Sequence, residues 1–149
     1  MRDDEEGFTL PTGEAGFTLV ELMVVIVIIG LLATVVIVNV LPTRDKAMVE
    51  KVKADISLIE QGMEMYRLDM FNYPAAGEGL AALTAPPAGL AQPDRYRRGG
   101  YLKRLPDDPW GKPYQFANPG THGAIDIYSL GADGVPGGEG ENADIGNWR

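Results

Sequence analysis

Cysteine is absent from the 149 residues, and histidine occurs once, at position 122. Without thiols there is no disulfide and no thiolate metal site, and the redox compartment leaves no trace in the sequence. A single imidazole with no second histidine and no cysteine does not make a zinc site, so His122 reads as a surface or turn residue. Basic residues are also few: 13 Lys and Arg stand against 21 Asp and Glu, for a net charge of −8. That balance argues against nucleic acid as a partner and suits solvent exposure and cation binding. No phosphate loop or dinucleotide fingerprint is present. Ser129 lacks a GxSxG setting. Asp107 and Asp108 lie between Pro106 and Pro109, which is turn chemistry rather than a catalytic pair. No enzyme is read from this sequence.

Charge is missing altogether from residues 22–38, LMVVIVIIGLLATVVIV, and between positions 17 and 41 only Glu21 is charged. A helix rising about 1.5 Å per residue crosses a hydrocarbon core of about 30 Å in roughly 20 residues, so 17–41 is long enough to span a membrane. An acid inside such a segment costs about 2.5–3.5 kcal/mol on insertion scales, which makes a functional role the default. The competing reading is an interfacial carboxylate solvated by headgroups, and position alone leaves both open. The apolar run follows residues 1–16, MRDDEEGFTLPTGEAG, which hold one Arg and five acids and so carry −4 of the −8. Arg44, Lys46, Lys51 and Lys53 lie beyond the run, so the positive-inside rule does not itself place the N-terminus in the cytoplasm.

Beyond the span, Val49, Val52, Ile56, Ile59, Met63, Tyr66 and Met70 recur at steps of three and four, an unbroken helical stripe. The other faces carry Lys46, Glu50, Lys51, Asp55, Glu60, Glu64 and Arg67. The pairs Lys46–Glu50 and Lys51–Asp55 are spaced i,i+4, worth only tenths of a kcal/mol. Pro42 predicts a kink or loosening between the two halves. A coiled-coil partner or the chain's own C-terminal domain could cover the stripe, and the strands that follow favour the second. Asn72-Tyr73-Pro74 ends the helix, because the residue before a proline is pushed out of the helical region. Residues 75–95 are a loop rich in Ala, Gly and Pro, in which 78–84 makes one or two helical turns before Pro86 and Pro87.

Residues 96–130 read as short strands at 101–105, 112–116 and 124–130, the last (AIDIYSL) alternating best. Between them, Pro106-Asp107-Asp108-Pro109-Trp110-Gly111 and Asn118-Pro119-Gly120 are turns. The expected fold class is α+β: a long N-terminal helix packed on a small antiparallel sheet of about three strands, which needs one face covered to be stable. Residues 130–149, LGADGVPGGEGENADIGNWR, combine glycines for tight wrapping with oxygens from Asp133, Glu139, Glu141, Asn142 and Asp144. An EF-hand fails here, because its third and fifth loop positions would be Val135 and Gly137 and no helices flank it. A solvated acidic loop and a hard-cation loop both stay open on composition.

Gly16-Phe17-Thr18-Leu19-Val20-Glu21, with the apolar helix directly behind, resembles the processing signature of type IV pilin-like proteins. The resemblance implies cleavage between Gly16 and Phe17 by a prepilin peptidase, leaving 133 residues, and N-methylation of Phe17. It also implies that Glu21 pairs with the terminal amine of a neighbouring subunit; a buried acid and a buried amine, each costly alone, become tolerable together. Gly7-Phe8-Thr9-Leu10 is a partial copy that fails, since Pro11 disrupts a helix and Thr12 stands where the acid belongs. Leaders in that family are usually basic, unlike this one, and many members carry a proline where Val38 stands.

Downstream, GGYLKRLPDDPWGKPYQF, PGTHGAIDIYSLGADG and ADIGNW are similar to the major pseudopilins of type II secretion, and the likeness runs over residues 16–148. It implies one calcium ion in the C-terminal loop, with Asp133 and Asp144 as side-chain ligands and Leu130 and Val135 as carbonyl donors. Asn142 stands where relatives often have an acid, with Glu139 and Glu141 in reserve. The organisation implied is a leader at 1–16, a transmembrane and filament-core helix at 17–41, and a periplasmic domain at 42–149. Within that domain the helix runs to about 71, a loop covers 72–95, short strands 96–130 and the calcium loop 130–149. The function implied is structural: a subunit polymerising into a periplasmic filament that drives export of folded proteins across the outer membrane. Its implied partners are further copies of itself, the peptidase, minor pseudopilins, the inner-membrane assembly platform and the bacterial inner membrane. The alternatives are a type IV pilin, a minor pseudopilin, or a membrane-anchored calcium-binding module that never polymerises.

Overall fold

The computed structural model describes the backbone of residues 16–148 and the side chains of 16–36 and 43–148. It divides into two units, Met1–Leu41 and Pro42–Arg149. One helix, α1 (Leu19–Met70), contributes to both, and its backbone is helical at Pro42. In the first unit, Thr18 caps the start of α1 by accepting the Glu21 N–H on its hydroxyl at 3.2 Å. The stretch Leu19–Val36 has a mean hydropathy of 2.9, and none of it is buried within the protein. It is apolar all round, which requires lipid or another protein around it. Its one hydroxyl, on Thr34, donates to the Gly30 carbonyl at 2.9 Å, which leaves the Glu21 carboxylate as the exposed polar side chain of that surface.

In the second unit the apolar stripe is the buried face of α1. Val52, Ile56, Ile59, Met63 and Tyr66 are buried in one core with Leu80, Leu83, Tyr101, Tyr114, Ile125, Ile127 and Ile145. α1 is closed by Phe71, the residue after its last turn, whose backbone takes a left-handed conformation (φ 64°) and whose N–H still reaches the Arg67 carbonyl. The connection that follows is held by short 3-10 turns at Leu80–Leu83 and Pro93–Arg95. An aromatic cluster fastens it to the helix: Tyr66, Tyr96 and Tyr101 meet edge to face with centroids 5.2–6.3 Å apart. The Tyr96 hydroxyl donates to the Ala82 carbonyl at 2.8 Å.

Three strands form one antiparallel sheet in the order β1–β2–β3: β1 (Gln115–Ala117), β2 (Asp126–Ser129) and β3 (Ile145–Gly146). Phe116 faces Ile127 and Ser129 faces Ile145 across the two ladders. Two side-chain bonds tie α1 to this layer: the Tyr114 hydroxyl to Asp55 Oδ2 at 2.8 Å, and Asn147 Nδ2 to Glu60 Oε1 at 3.1 Å. Burial pushes the Tyr114 phenol well up, and its bond to the Asp55 carboxylate adds to that.

The strands differ from the sequence reading in three places. The strand expected at 112–116 is Gln115–Ala117, because the backbone of Lys112 is bonded to Asp108 in the preceding turn. Residues 101–105 are not a strand: the N–H groups of Tyr101 and Leu102 both donate to the Leu83 carbonyl, at 2.7 and 3.0 Å. That backbone is spent on closing the preceding turn, so Tyr101 enters the core from a loop. The third strand is Ile145–Gly146, inside the segment expected to be loop. Two residues carry no readable alternation, and what makes them a strand is the free edge of β2.

Ile59 is fully buried, whereas its neighbour Leu58 is 46% exposed. In the fragment 43–149, whose core lies wholly within it, Ile59→Ala is expected to cost about 2–5 kcal/mol in urea denaturation. Leu58→Ala is expected to cost less than about 1 kcal/mol. Equal losses would mean that the stripe is not the packed face.

Candidate functional site

Two places carry the residues singled out from the sequence. The first is the start of α1. Gly16 and Phe17 precede the helix in irregular backbone, with Phe17 79% exposed. Glu21 lies in the first turn of α1. A carboxylate there is favoured by the helix dipole, and the Gly16–Phe17 peptide lies ahead of the helix, outside any secondary structure. Residues 1–15 lie outside the described residues.

The second is the loop between β2 and β3, which runs out from Leu130 and returns through a 3-10 turn at Gly140–Asn142. Its two limbs are pinned together: Ala132 N–H donates to the Glu141 carbonyl at 2.8 Å, and Gly137 N–H donates to Asp144 Oδ2 at 2.9 Å. Gly131 is needed at the crossing, because a Cβ there would lie 2.8–2.9 Å from the backbone of residues 141–143. Asp133 is exposed and turns back on its own loop, accepting from Val135 N–H at 3.1 Å. Asp144 Oδ1 is different: it is a buried oxygen with no hydrogen-bond partner. An unpaired buried carboxylate oxygen is costly, and a donor or a cation would relieve it.

Among the described residues, no three His, Cys, Asp or Glu side chains gather as a metal cluster. A cation site here would therefore rest on two carboxylates, Asp133 and Asp144, with backbone carbonyls making up the number. That composition suits a hard cation that accepts carbonyl oxygen, and the open oxygen of Asp144 fits it. Val135 and Asn142 are exposed and Leu130 is half-buried. Glu141 is exposed, and the neighbouring Asp45 carboxyl on α1 pushes its pKa up. Glu139 is exposed.

The structure also brings forward residues that were read only as turn. Asp108 is buried and accepts from three donors: the N–H groups of Trp110 (3.1 Å) and Lys112 (2.8 Å) and the Ser129 hydroxyl (2.7 Å). Ser129 Oγ in turn accepts the Gly131 N–H at 3.2 Å, so a buried carboxylate reaches the first peptides of the loop. Pro-Asp-Asp-Pro marks a turn, but nothing local says that Asp108 would find Ser129 twenty-one residues on. His122 is not a ligand here; its ring stacks on Trp148 at 3.8 Å, and its Nδ1 lies 2.9 Å from Asp126 Oδ2. A carboxylate only accepts, so the proton sits on Nδ1. Burial opposes ionisation of Asp126, but the bonds from the His122 ring and from the N–H groups of Thr121 and His122 outweigh it. They hold the carboxyl below its ordinary value.

Comparison with known proteins places both regions. The type II secretion system protein G family matches residues 39–148, and the prokaryotic N-terminal methylation motif matches residues 12–37. The chain is 53% identical to the type II secretion system core protein G of Pseudomonas aeruginosa over 104 residues, 70% of this chain and 73% of that one. It is 51% identical to the core protein G of Vibrio cholerae over 109 residues, 73% of this chain and 74% of that one. Its fold is similar to the crystal structure of the major pseudopilin from the type 2 secretion system of enterohaemorrhagic Escherichia coli. That match has a TM-score of 0.65 at 47% identity, covering 74% of this chain and 94% of the other. With an N-terminal methylation motif on an apolar helix and a family match across the α+β unit behind it, the chain belongs to the type II secretion system protein G family and is a major pseudopilin subunit.

Proposed function

We propose that the chain is made as a precursor cut between Gly16 and Phe17 by a prepilin peptidase, and methylated on the new terminal amine of Phe17. It then polymerises through its apolar helix into a periplasmic filament. The observation that carries this is the register: GFTLVE sits at the start of α1, with the scissile peptide ahead of the helix and an uncharged span behind Glu21. In the filament, each Glu21 carboxylate would pair with the amine of a neighbouring copy. Two groups too costly to bury singly are then buried together, and their pairing sets the stagger between helices. In this reading the span anchors the subunit in the bacterial inner membrane, with residues 42–149 on the periplasmic side. Minor pseudopilins and the inner-membrane assembly platform are its further partners.

The second unit would hold calcium between Asp133 and Asp144, with the carbonyls of Leu130 and Val135 and the amide of Asn142 as further oxygens. A bound cation would supply fixed positive charge to the loop and nothing catalytic. The support is the unpartnered buried Oδ1 of Asp144 in a loop whose glycines lose much backbone entropy on ordering. A neutral amide at 142 lowers the negative charge of the site relative to an acid there.

Three outcomes test these assignments. In a host with the peptidase, the intact mass should equal residues 17–149 plus one methyl; a chain beginning at Phe8, or left uncut, sinks the cleavage site. Glu21→Ala should leave cleavage and membrane insertion intact while abolishing filaments on electron micrographs, and normal filaments would rule out the pairing. A ligand bound only by the folded state stabilises by about 2.7 kcal/mol at a hundredfold excess over Kd. Calorimetry on fragment 43–149 should therefore show a melting temperature several degrees higher in calcium than in chelator. Asp133→Ala and Asp144→Ala should each abolish that difference, and Asn142→Ala should reduce it. Equal melting in calcium and chelator would remove calcium from the account.

A further inference from the structure

Lys112 leaves a rigid place and enters the glycine-rich loop. Its backbone is clamped on both sides by Asp108: its N–H donates to Asp108 Oδ1 at 2.8 Å, and its carbonyl accepts the Asp108 N–H at 2.8 Å. The carboxylate that holds it is buried and also bonded to Ser129 of β2. From this base the half-buried side chain reaches across twenty positions of sequence, and its ammonium donates to the Ala132 carbonyl at 2.8 Å. Its stem lies against Gly134, where a Cβ would stand 2.6 Å from Nζ and 3.1 Å from Cδ and Cε. Gly134 also has φ +67°, a backbone conformation that favours glycine there.

The consequence falls on Asp133. The preceding residue, Ala132, is pinned on both sides, with its N–H on the Glu141 carbonyl and its carbonyl on Lys112. The residue after it, Gly134, is walled by the lysine stem. We propose that Lys112 is a positioning residue of the 130–144 loop, holding the limb that carries Asp133 in place and keeping the Ala132 carbonyl for itself. This rests on reading that loop as the calcium site. On that reading it takes the Ala132 carbonyl out of the set of oxygens that a cation could use. It also means that the outgoing limb is ordered from the Asp108 turn before any cation arrives. An ammonium–carbonyl bond is charge-assisted and launched from a fixed base, so little ordering cost remains when the loop closes.

Hydrogen–deuterium exchange on the detergent-solubilised full chain tests this, with Lys112→Met keeping the stem and removing the donor, and Lys112→Arg restoring charge and donor. In chelator, Lys112→Met should speed exchange across residues 131–138 by at least about tenfold while 115–129 exchange as in the parent. Lys112→Arg should lie between the two. Where the parent binds calcium, saturating calcium should narrow the gap. Unchanged exchange at 131–138, an equal rise over 115–129, or a gap undiminished by bound calcium would each overturn the positioning role. A parent chain whose exchange ignores calcium would sink the cation reading alone, because the chelator arm contains no metal.

Discussion

Three strands totalling nine residues cannot make a sheet that stands by itself in water, and a helix with an apolar stripe cannot rest in water either. Each is the other's solvent shield. The contact of Val52, Ile56, Ile59, Met63 and Tyr66 with Ile125, Ile127 and Ile145 is what the rest of the second unit depends on. Every connection in that unit is anchored to it: the 72–105 segment through Tyr96 and Tyr101, the β1–β2 turn through Asp126, and the glycine-rich loop through Ser129 and Asp108. The unit packs on one face of one helix, while Leu58 and Leu68 on other faces stay exposed.

That same helix has a second and different solvent requirement. Leu19–Val36 is apolar on every side and unburied, so it must be covered by lipid or by other helices. A subunit that moves from a membrane into a filament exchanges one such cover for the other. Hydrophobic association alone gives little direction to that exchange, because lipid tails and apolar side chains solvate the span about equally well. A single charge does give direction. Glu21 is the one ionisable side chain among the described residues of the span, in the first turn of α1, and in the proposed filament it would pair with the amine of a neighbouring copy.

The glycine-rich loop shows how a segment with almost no apolar content can still be given a shape. It is held from outside. Asp108, buried and triply bonded, fixes a turn that in turn presents Lys112 and accepts Ser129, and these two reach the loop at Gly131 and Ala132. The returning limb is fixed by β3 pairing with β2. Between these supports Oδ1 of Asp144 is buried without a hydrogen-bond partner. Buried polar networks of this sort specify one arrangement, because a partly satisfied version costs more than either extreme.

The sequence alone determined whatever depends on neighbours along the chain. The uncharged span, the stripe at steps of three and four, the acid in the first turn and the turn chemistry at 106–111 are all local patterns, and each is an element or a buried face in the structure. Tertiary structure decided what depends on distant partners. Residues 101–105 have strand-like composition yet their backbone goes to Leu83, while Ile145 and Gly146 have no strand pattern and become β3 because β2 offers an edge. Asp108 finds Ser129, Lys112 finds Ala132, and His122 finds Trp148 across twenty or more positions. Such pairings are set by where the packed helix and sheet bring the backbone, and a periodicity read along the chain holds no information about that.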